Sequence, residues 1–247
     1  MQEQQQTEKL VVQPNQTSSL LANKTNELAF KSLVIESKPP ASQSVLKKPM
    51  TSLIIKTKKE YLTNFRSFLN QNLSVNVGLA PKSSSSDAAF SLTKLFINNC
   101  DLKKIDPCLC NLVNLTHLDL NSNLLEQLDN LTFRQLQILN ASNNKLKSIG
   151  DNIVLPKLVS LDLSSNQLIG LTRKFFVNFK SISSIRLNNN QLSYLSDKLG
   201  FYLSNLKHFY ANNNKLKSVP FSFSYLRLEM LELDNNPFEY NNQHQLQ

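Results

Sequence analysis

The sequence predicts a solenoid of the α/β class, in which seven repeats build a parallel β-sheet along a concave face. The template L-x-x-L-x-L-x-x-N-x-L occurs seven times, first from Leu92 and last from Leu228. Successive copies start 21 to 24 residues apart, within the range of roughly 20–29 residues typical of leucine-rich repeats. The ninth position is Asn in six copies and Cys100 in the first. The template and its period therefore predict a leucine-rich repeat solenoid.

The L-x-L core of each template predicts a short strand. Because side chains alternate across a strand, Leu118 and Leu120 of the second repeat should face the core. His117, Asp119 and Asn121 should then face outwards. Stacking the repeats places these strands side by side in one direction, which predicts a parallel sheet.

The Asn column at the ninth position predicts a turn that leads away from each strand. A buried amide is tolerated there because it can bond to backbone groups of the turn and of the next repeat. Cys100 takes this position in the first repeat, which the template allows. The segments between strands vary in length, as in "VLPK" and "TRKFFVNFKS". They predict turns and short helices on the convex side.

The first ninety residues depart from the repeat pattern. The stretch "TSLIIKTKKEYL" from Thr51 predicts a strand, and "YLTNFRSFLNQNL" has the apolar spacing of a helix that could cap the first repeat. The predicted organisation has four parts. A flexible or partly folded region at 1–49, rich in Gln, Ser, Asn and Lys, precedes a strand and helix segment with a Ser-rich linker at 50–89. The leucine-rich repeat domain follows at 90–240, and a polar tail ends the sequence at 241–247.

The chain is basic, with 27 Lys and Arg against 18 Asp and Glu, a formal charge of +9. The excess is thinly spread: residues 1–89 carry 11 basic and 6 acidic residues, and residues 90–247 carry 16 and 12. A nucleic-acid-binding surface would show clustered Lys and Arg with aromatic residues between them. We therefore interpret these charges, including the patch "KTKKEY", as a solvated surface and expect no direct nucleic-acid binding.

Signals of cellular location are few. The N-terminal stretch lacks a basic segment followed by an apolar one, so no secretory signal is apparent. No apolar run approaches the roughly 18 residues needed to span a membrane. Three cysteines do not suggest a disulfide framework, and the C-x-C of Cys108 and Cys110 lacks the spacing of a zinc half-site. We expect an intracellular, thiol-reduced protein without a metal or cofactor.

The outward columns of the predicted strands supply the candidate binding surface. Apolar side chains stand on a face that should be wet, and Asp119 and Asp162 contrast with Arg186. Exposed aromatic residues beside charged ones are typical of interface anchors, although repeat faces also carry scattered apolar residues without a function. The predicted protein-binding residues of the concave face are Phe96, His117, Asp119, Ile138, Asp162, Arg186, His208, Tyr210, Met230 and Glu232.

The same columns argue against catalysis. His117 and His208 lie four repeats apart, nearly 20 Å at roughly 4.7–4.9 Å per strand, so they cannot share a metal or a proton. Asp119 and Asp162 lie two repeats apart, roughly 10 Å, which is too wide for a tightly coupled acid pair. The sequence carries no G-x-S-x-G, P-loop, H-E-x-x-H or G-x-G-x-x-G motif. We expect a protein that is not an enzyme.

Three stretches carry a resemblance to a known family. They are "SLIIKTKKEY" before the repeats, "NCDLKKID" in the first repeat, and "LKHFYANNNKLKSVPFSFSYLRLEMLELDNNPFE" in the last two. Over roughly residues 50–240 the chain resembles the leucine-rich repeat proteins that serve as substrate receptors of a Cullin-2 RING ubiquitin ligase. The specificity of this resemblance rests on "KTKKEY" and on "LEMLELDNNPFE".

The resemblance implies a nuclear adaptor that recruits the ligase to the replicative DNA helicase when replication terminates. The repeats and an N-terminal pleckstrin-homology-like domain would contact the substrate, and residues 50–89 would be a remnant of that domain. Ubiquitin transfer would belong to other ligase subunits. The implied partners are helicase subunits, and also the Cullin-2/Elongin complex, provided that a docking box lies beyond this chain.

One departure from the family separates two functional hypotheses. The family places its Cullin- and Elongin-binding box after the repeats, and nothing after Phe238 resembles it. We therefore expect a chain that keeps the recognition half of the receptor and lacks the ligase-docking half. The alternative is a leucine-rich repeat scaffold or regulatory adaptor, nuclear or cytoplasmic, with an unrelated protein partner. A secreted or cell-surface receptor is disfavoured because Cys-rich caps are missing.

Overall fold

The computed structural model describes residues 92–171, 173–177 and 179–239 of the 247-residue chain, and the backbone of three earlier strands. The predicted helix in "YLTNFRSFLNQNL", the Ser-rich linker and the polar tail lie outside the described residues. The predictions made for them therefore stay predictions.

Ten parallel strands form one sheet, as expected for a leucine-rich repeat solenoid of the α/β class. The order along the sheet is β1-β2-β3-β4-β5-β7-β9-β10-β11-β12, and β6 pairs with β8 in a second, two-stranded sheet. In chain order the strands are β1 Leu10–Val12, β2 Ser32–Glu36, β3 Ser52–Lys56, β4 Lys94–Ile97, β5 His117–Asp119, β6 Gln127–Leu128, β7 Ile138–Asn140, β8 Ser148–Ile149, β9 Ser160–Asp162, β10 Ser184–Arg186, β11 His208–Tyr210 and β12 Met230–Glu232.

The seven strands predicted from the template are all present, and three more precede them. β3 lies in the stretch from Thr51 for which a strand is predicted, and it pairs in parallel with β4. β1 and β2 extend the sheet further. Sequence analysis did not anticipate them because the template is incomplete in both. After "SLVIE" the Asn and Leu positions are Lys38 and Pro40, and after "LVV" the Leu position is Thr17.

The core consists of the inward side chains of each template. Leu118 and Leu120 are buried as predicted, at 1% and 0% exposure. The fourth template position is buried to the same degree in six repeats: Leu95, Leu118, Leu139, Leu161, Ile185 and Phe209 are each at most 1% exposed.

The seventh repeat departs from this burial. Leu231 lies in register with the buried Phe209, but it is 43% exposed. β12 is the terminal strand of the described sheet, so no further described strand packs beside Leu231. Leu233 is also partly exposed. The inward positions of the seventh repeat therefore keep the register of the other repeats but not their burial.

The Asn column binds neighbouring repeats together. Asn123 Oδ1 accepts the backbone N–H groups of Cys100 and Leu102, both at 3.0 Å. Its Nδ2 donates to Ile97 O of the same preceding repeat at 2.6 Å and to Leu120 O of its own repeat at 2.8 Å. The predicted amide bonding is present, but it reaches back to the preceding repeat, not forward to the next. The same pattern recurs at Asn144, Asn166, Asn190, Asn214 and Asn236.

A left-handed residue stands immediately before each member of the Asn column. φ lies between 53° and 56° at the eighth template position in all seven repeats: Asn99, Ser122, Asn143, Ser165, Asn189, Asn213 and Asn235. Asn tolerates this conformation better than most residues because its short polar side chain bonds locally. This turn explains how the chain leaves the strand. The recurrence of Asn or Ser at the eighth template position could have predicted it from the sequence.

The convex side carries short helices, as predicted. They are α1 Arg173–Val177, α2 Leu199–Tyr202 and two 3-10 helices at Pro107–Asn111 and Phe221–Tyr225. Phe175 packs edge-on against Phe176 and Phe179, with ring centroids 5.1 and 4.7 Å apart. Within the described residues, no helix is both long enough and apolar enough to cross a membrane.

Candidate protein-binding face

The candidate site is the concave face, whose middle is formed by the fifth template position. We call this row the centre column: Phe96, Asp119, Asn140, Asp162, Arg186, Tyr210 and Glu232. The strand registers place these residues directly opposite one another in sequence order. Neighbouring strands lie about 4.8 Å apart, so each centre-column side chain is within reach of the next.

The centre column of repeats two to four, here the capped half, is occupied by hydrogen bonds within each repeat. Asp119 Oδ1 accepts the backbone N–H of Asn121 at 3.0 Å. Asn140 Oδ1 accepts the backbone N–H of Ser142 at 3.0 Å, and its hydroxyl at 2.7 Å. These short side chains therefore close the turn that ends their own strand.

Asp162 completes the capped half in the same way. Its Oδ1 accepts the backbone N–H of Ser164 at 2.9 Å and the Ser164 hydroxyl at 2.6 Å. At the other end of this half, Asn98 Nδ2 donates to Asp119 Oδ2 at 3.2 Å. Two of the three predicted acidic binding residues, Asp119 and Asp162, thus already bond within the fold, which leaves fewer of their acceptor sites for a partner.

The centre column of repeats five to seven, here the open half, carries long side chains without this capping role. The guanidinium of Arg186 lies over the ring of Tyr210, 5.1 Å from its centroid. Arg186 is exposed and stands opposite Asp162 in register, yet the described residues contain no ion pair between the two within 4.0 Å. The N–H groups of Arg186 therefore remain available for an incoming acceptor.

The capping task in this half passes to a different residue. Asn188 Oδ1 accepts the backbone N–H of Asn212 at 3.0 Å, across the strand gap. In the capped half the corresponding backbone N–H groups are bonded by the centre-column residues of their own repeats. Tyr210 therefore has no capping role in its repeat, and its ring stacks with Arg186.

Acidic and apolar groups lie beside this pair on the last strand. Glu229 contacts Lys207 Nζ at 2.7 Å and His208 Nε2 at 3.5 Å. The hydrogen bond from Lys207, with its charge, holds the pKa of Glu229 below its ordinary value. Glu232 Oε2 accepts from Asn212 Nδ2 at 2.9 Å, and Met230 is 44% exposed. The open half thus combines a cation, an aromatic ring, carboxylates and an exposed thioether.

The remaining predicted residues lie towards the N-terminal end of the concave face. Phe96 is half-buried and Ile138 is 39% exposed. His117 Nδ1 is 2.8 Å from Thr116 Oγ1. Burial and the nearby charge of Lys94 lower the pKa of His117 below 6.5, which favours the neutral imidazole. His117 and His208 stand four strands apart in the same row, as predicted.

Within the described residues, no group of three or more His, Cys, Asp or Glu is arranged to hold a metal ion. Cys100 is buried and its thiol donates to Asn98 O at 3.2 Å, and the Cys110 sulfur accepts the backbone N–H of Thr132 at 3.5 Å. The side chain of Cys108 lies outside the described residues, so the C-x-C prediction is untested.

Sequence analysis missed two groups of this face. Lys207 and Glu229 occupy the second template position, just before the strands, and Glu229 lies 3.5 Å from His208 Nε2. Asn188 occupies the seventh template position, but its role as a cap across the strand gap requires the observed geometry. The opposite charges at equivalent positions of consecutive repeats were the available signal for the ion pair.

Comparison with known proteins agrees with the fold. A family model described as leucine rich repeat matches residues 156–216. No curated protein sequence matches the chain. One similar solved structure is that of the Toll–Spätzle complex of Drosophila, described as a molecular hub in development and innate immunity, with a TM-score of 0.57 and 17% identity. The match covers 87% of this chain and 31% of that chain. At this identity the likeness establishes the leucine-rich repeat fold alone, a fold typical of non-enzymatic binding scaffolds.

Proposed function

We propose that this chain is a protein-interaction module that binds its partner through the open half of the concave face. The observation that carries the proposal is the Arg186–Tyr210 pair, with its guanidinium over the ring at 5.1 Å. Arg and Tyr are among the residues most enriched at the energetic centres of interfaces. The curvature of a repeat solenoid creates an extended concave surface that suits a protein partner.

The open half suits this role better than the capped half. Arg186 keeps its charge exposed while the ring of Tyr210 restrains it, so less side-chain entropy is lost on binding. Its planar fork of N–H donors matches a carboxylate of the partner. Met230, 44% exposed on the neighbouring strand, adds an adaptable apolar contact.

The more specific proposal is that this module is the substrate-recognition part of a Cullin-2 RING ubiquitin ligase receptor in the nucleus, directed at the replicative helicase. Its support is the sequence resemblance over roughly residues 50–240, carried by "KTKKEY" and "LEMLELDNNPFE". Helicase subunits would be the partners of the concave face. The Cullin-2/Elongin complex would join through a docking box beyond this chain.

The test is affinity capture from nuclear extract with the full chain and a double variant, Arg186→Ala with Tyr210→Ala. We expect the chain to recover helicase subunits and the double variant to bind them about tenfold more weakly or worse. Thermal unfolding should be nearly the same for both proteins. A matched control replaces the exposed Glu126 and Lys147, which lie outside the concave face, and should bind as the unmodified chain does.

The capture experiment tests the concave interaction module and the ligase-receptor role independently. If the chain captures a different partner, and the double substitution abolishes that binding, the concave interaction module is supported and the receptor hypothesis is rejected. Helicase binding that survives the double substitution rejects the open half as the contact surface. The segment at 50–89 is then the next candidate.

A further inference from the structure

An exposed apolar row lies on the convex side of repeats four to six, away from the concave face. We call it the convex ridge, and its members are Val177 at 44% exposure, Phe201 at 58%, Tyr225 at 63% and Phe221 at 72%. Single exposed apolar residues are ordinary, but contiguous ones mark interaction surfaces. The three aromatic rings here are contiguous.

The rings contact one another. The centroids of Phe201 and Tyr225 lie 5.2 Å apart with their planes tilted by 35°. Phe221 meets Tyr225 edge-on, at 5.8 Å and 83°. Val177, Phe201 and Tyr225 follow one another at intervals of 24 residues, so they occupy equivalent places in successive convex segments.

The core does not need these side chains. The residue two places before each of them fills the core instead: Phe175, Leu199 and Phe223 are 3%, 0% and 7% exposed. Phe223 packs edge-on against Phe209, a core residue of β11, with centroids 5.1 Å apart. The convex ridge is therefore apolar surface that folding leaves unused.

A close backbone approach holds the ridge in place. Gly200 N donates to the Ser222 hydroxyl at 2.8 Å, and Ser222 is fully buried. A Cβ at Gly200 would collide with the carbonyl of Ser222, so α2 can lie this close to the last 3-10 helix because position 200 is glycine. This contact positions Phe201 beside Tyr225 before any partner arrives, which reduces the entropic cost of binding.

The charged residues of the convex segments are mostly basic, and one of them, Lys174, is paired with Asp151 at 3.3 Å. The three convex segments at 173–180, 197–204 and 221–227 contain five Lys or Arg and one Asp. Lys198, three residues before Phe201, and Arg227, two residues after Tyr225, are both exposed. Neither forms an ion pair with another described residue. A second copy of this chain would bring like charges together, whereas an acidic partner would be attracted.

We propose that the convex ridge is a second protein-docking surface, which takes an acidic segment of a partner protein anchored by aliphatic or aromatic side chains. Anchors of that segment pack against Phe201, Tyr225 and Phe221. Its carboxylates meet Lys198 and Arg227 at the border. This surface is separate from the open half of the concave face and does not depend on what binds there.

The test uses a display library of random peptides of about 12 residues, which span roughly 40 Å when extended and so exceed the ridge. Peptides are first selected for binding to the full chain. Those that also bind the double variant Phe201→Ser with Tyr225→Ser are then removed from the pool. We expect the remaining peptides to be enriched in Asp or Glu together with Leu, Phe or Trp. Their affinity, measured by fluorescence polarisation, should fall about tenfold or more in that variant.

Two further variants separate the apolar and charged contributions. Lys198→Glu with Arg227→Glu should weaken the same peptides by about tenfold and reduce the salt dependence of binding. Tyr194→Ser removes another exposed aromatic residue, at 59% exposure, and should leave the affinity unchanged. Unfolding temperatures should agree within about 4 °C, the shift expected for roughly 1 kcal/mol in a chain of this size.

Three outcomes would overturn the proposal. The first is the absence of ridge-dependent peptides from the selection. The second is a set of ridge-dependent peptides without acidic enrichment. The third is a dimer of the unmodified chain, detected by light scattering, that dissociates in the Phe201→Ser and Tyr225→Ser variant, because the ridge would then serve self-association. Loss or retention of binding by the Arg186 and Tyr210 variant has no bearing on these outcomes.

Discussion

The capped and open halves of the concave face are built on one template and differ at one position. In the capped half, Asp119, Asn140 and Asp162 each accept the backbone N–H of the residue two places later. In the open half that position carries Arg186, Tyr210 and Glu232, and the backbone N–H of Asn212 is capped by Asn188 of the preceding repeat. Asp119, Asn140 and Asp162 therefore have a structural role, whereas the proposed binding residues Arg186 and Tyr210 do not cap a turn.

The largest effect expected concerns the core, which the two halves share. Leu161→Ala removes a side chain that is 1% exposed and should lower the free energy of unfolding by about 2–5 kcal/mol. Leu231→Ala acts at the equivalent position of the seventh repeat, where 43% exposure means that much less burial is lost. Urea unfolding of both variants checks the ranking. An equal loss of stability would show that β12 is covered in solution.

The capping difference predicts a smaller contrast in stability. Asp162→Ala removes the acceptor for the Ser164 N–H and hydroxyl and should cost about 1–2 kcal/mol. Arg186→Ala, one strand further along the same column, should change the unfolding free energy by less than about 0.5 kcal/mol. Asp162→Asn keeps an acceptor oxygen and serves as the control. Equal costs for the two alanine variants would remove the distinction between the halves.

Binding should show the reverse order. Arg186→Lys keeps the positive charge and loses the planar fork of donors, so we expect partner affinity to fall about tenfold. Tyr210→Phe keeps the ring under the guanidinium and should stay within about twofold. Isothermal titration with the partner recovered by affinity capture measures both. An Asp162→Ala variant that binds more weakly than Arg186→Lys would move the contact surface into the capped half.

Sequence reasoning reached the fold because each template position has one structural task. The Leu positions predicted the core and the strands, and the Asn column predicted buried amides. The strands β1 and β2 were not predicted because their segments match the template only in part. The capping role of Asp119 and Asp162 was missed because the sequence pattern of an outward carboxylate is the same whether it bonds to its own backbone or to solvent.

The convex ridge escaped sequence reasoning for a related reason. Val177, Phe201 and Tyr225 recur every 24 residues, but no template marks which positions of a convex segment are exposed. The contact between the rings of Phe201 and Tyr225 therefore emerges only from the packing of the short helices. By contrast, the adjacency of Arg186 and Tyr210 follows from the template, which placed them in one row on neighbouring strands. Local periodicity thus predicts the concave face far better than the convex one.

The smallest effect concerns His117, which borders the capped half. Burial and the charge of Lys94 depress its pKa in the folded protein below 6.5, so the folded state binds fewer protons than the unfolded state as the pH falls. The stabilisation by neutral His117 is therefore complete above about pH 6.5 and is lost progressively below it.

His117→Gln should accordingly flatten the dependence of unfolding free energy on pH between about pH 7.5 and pH 5. Lys94→Gln removes the secondary cause of the depressed pKa and should move it part of the way back, as an NMR titration of the imidazole would measure. An unchanged dependence of the unfolding free energy on pH in the His117→Gln variant would contradict this assignment.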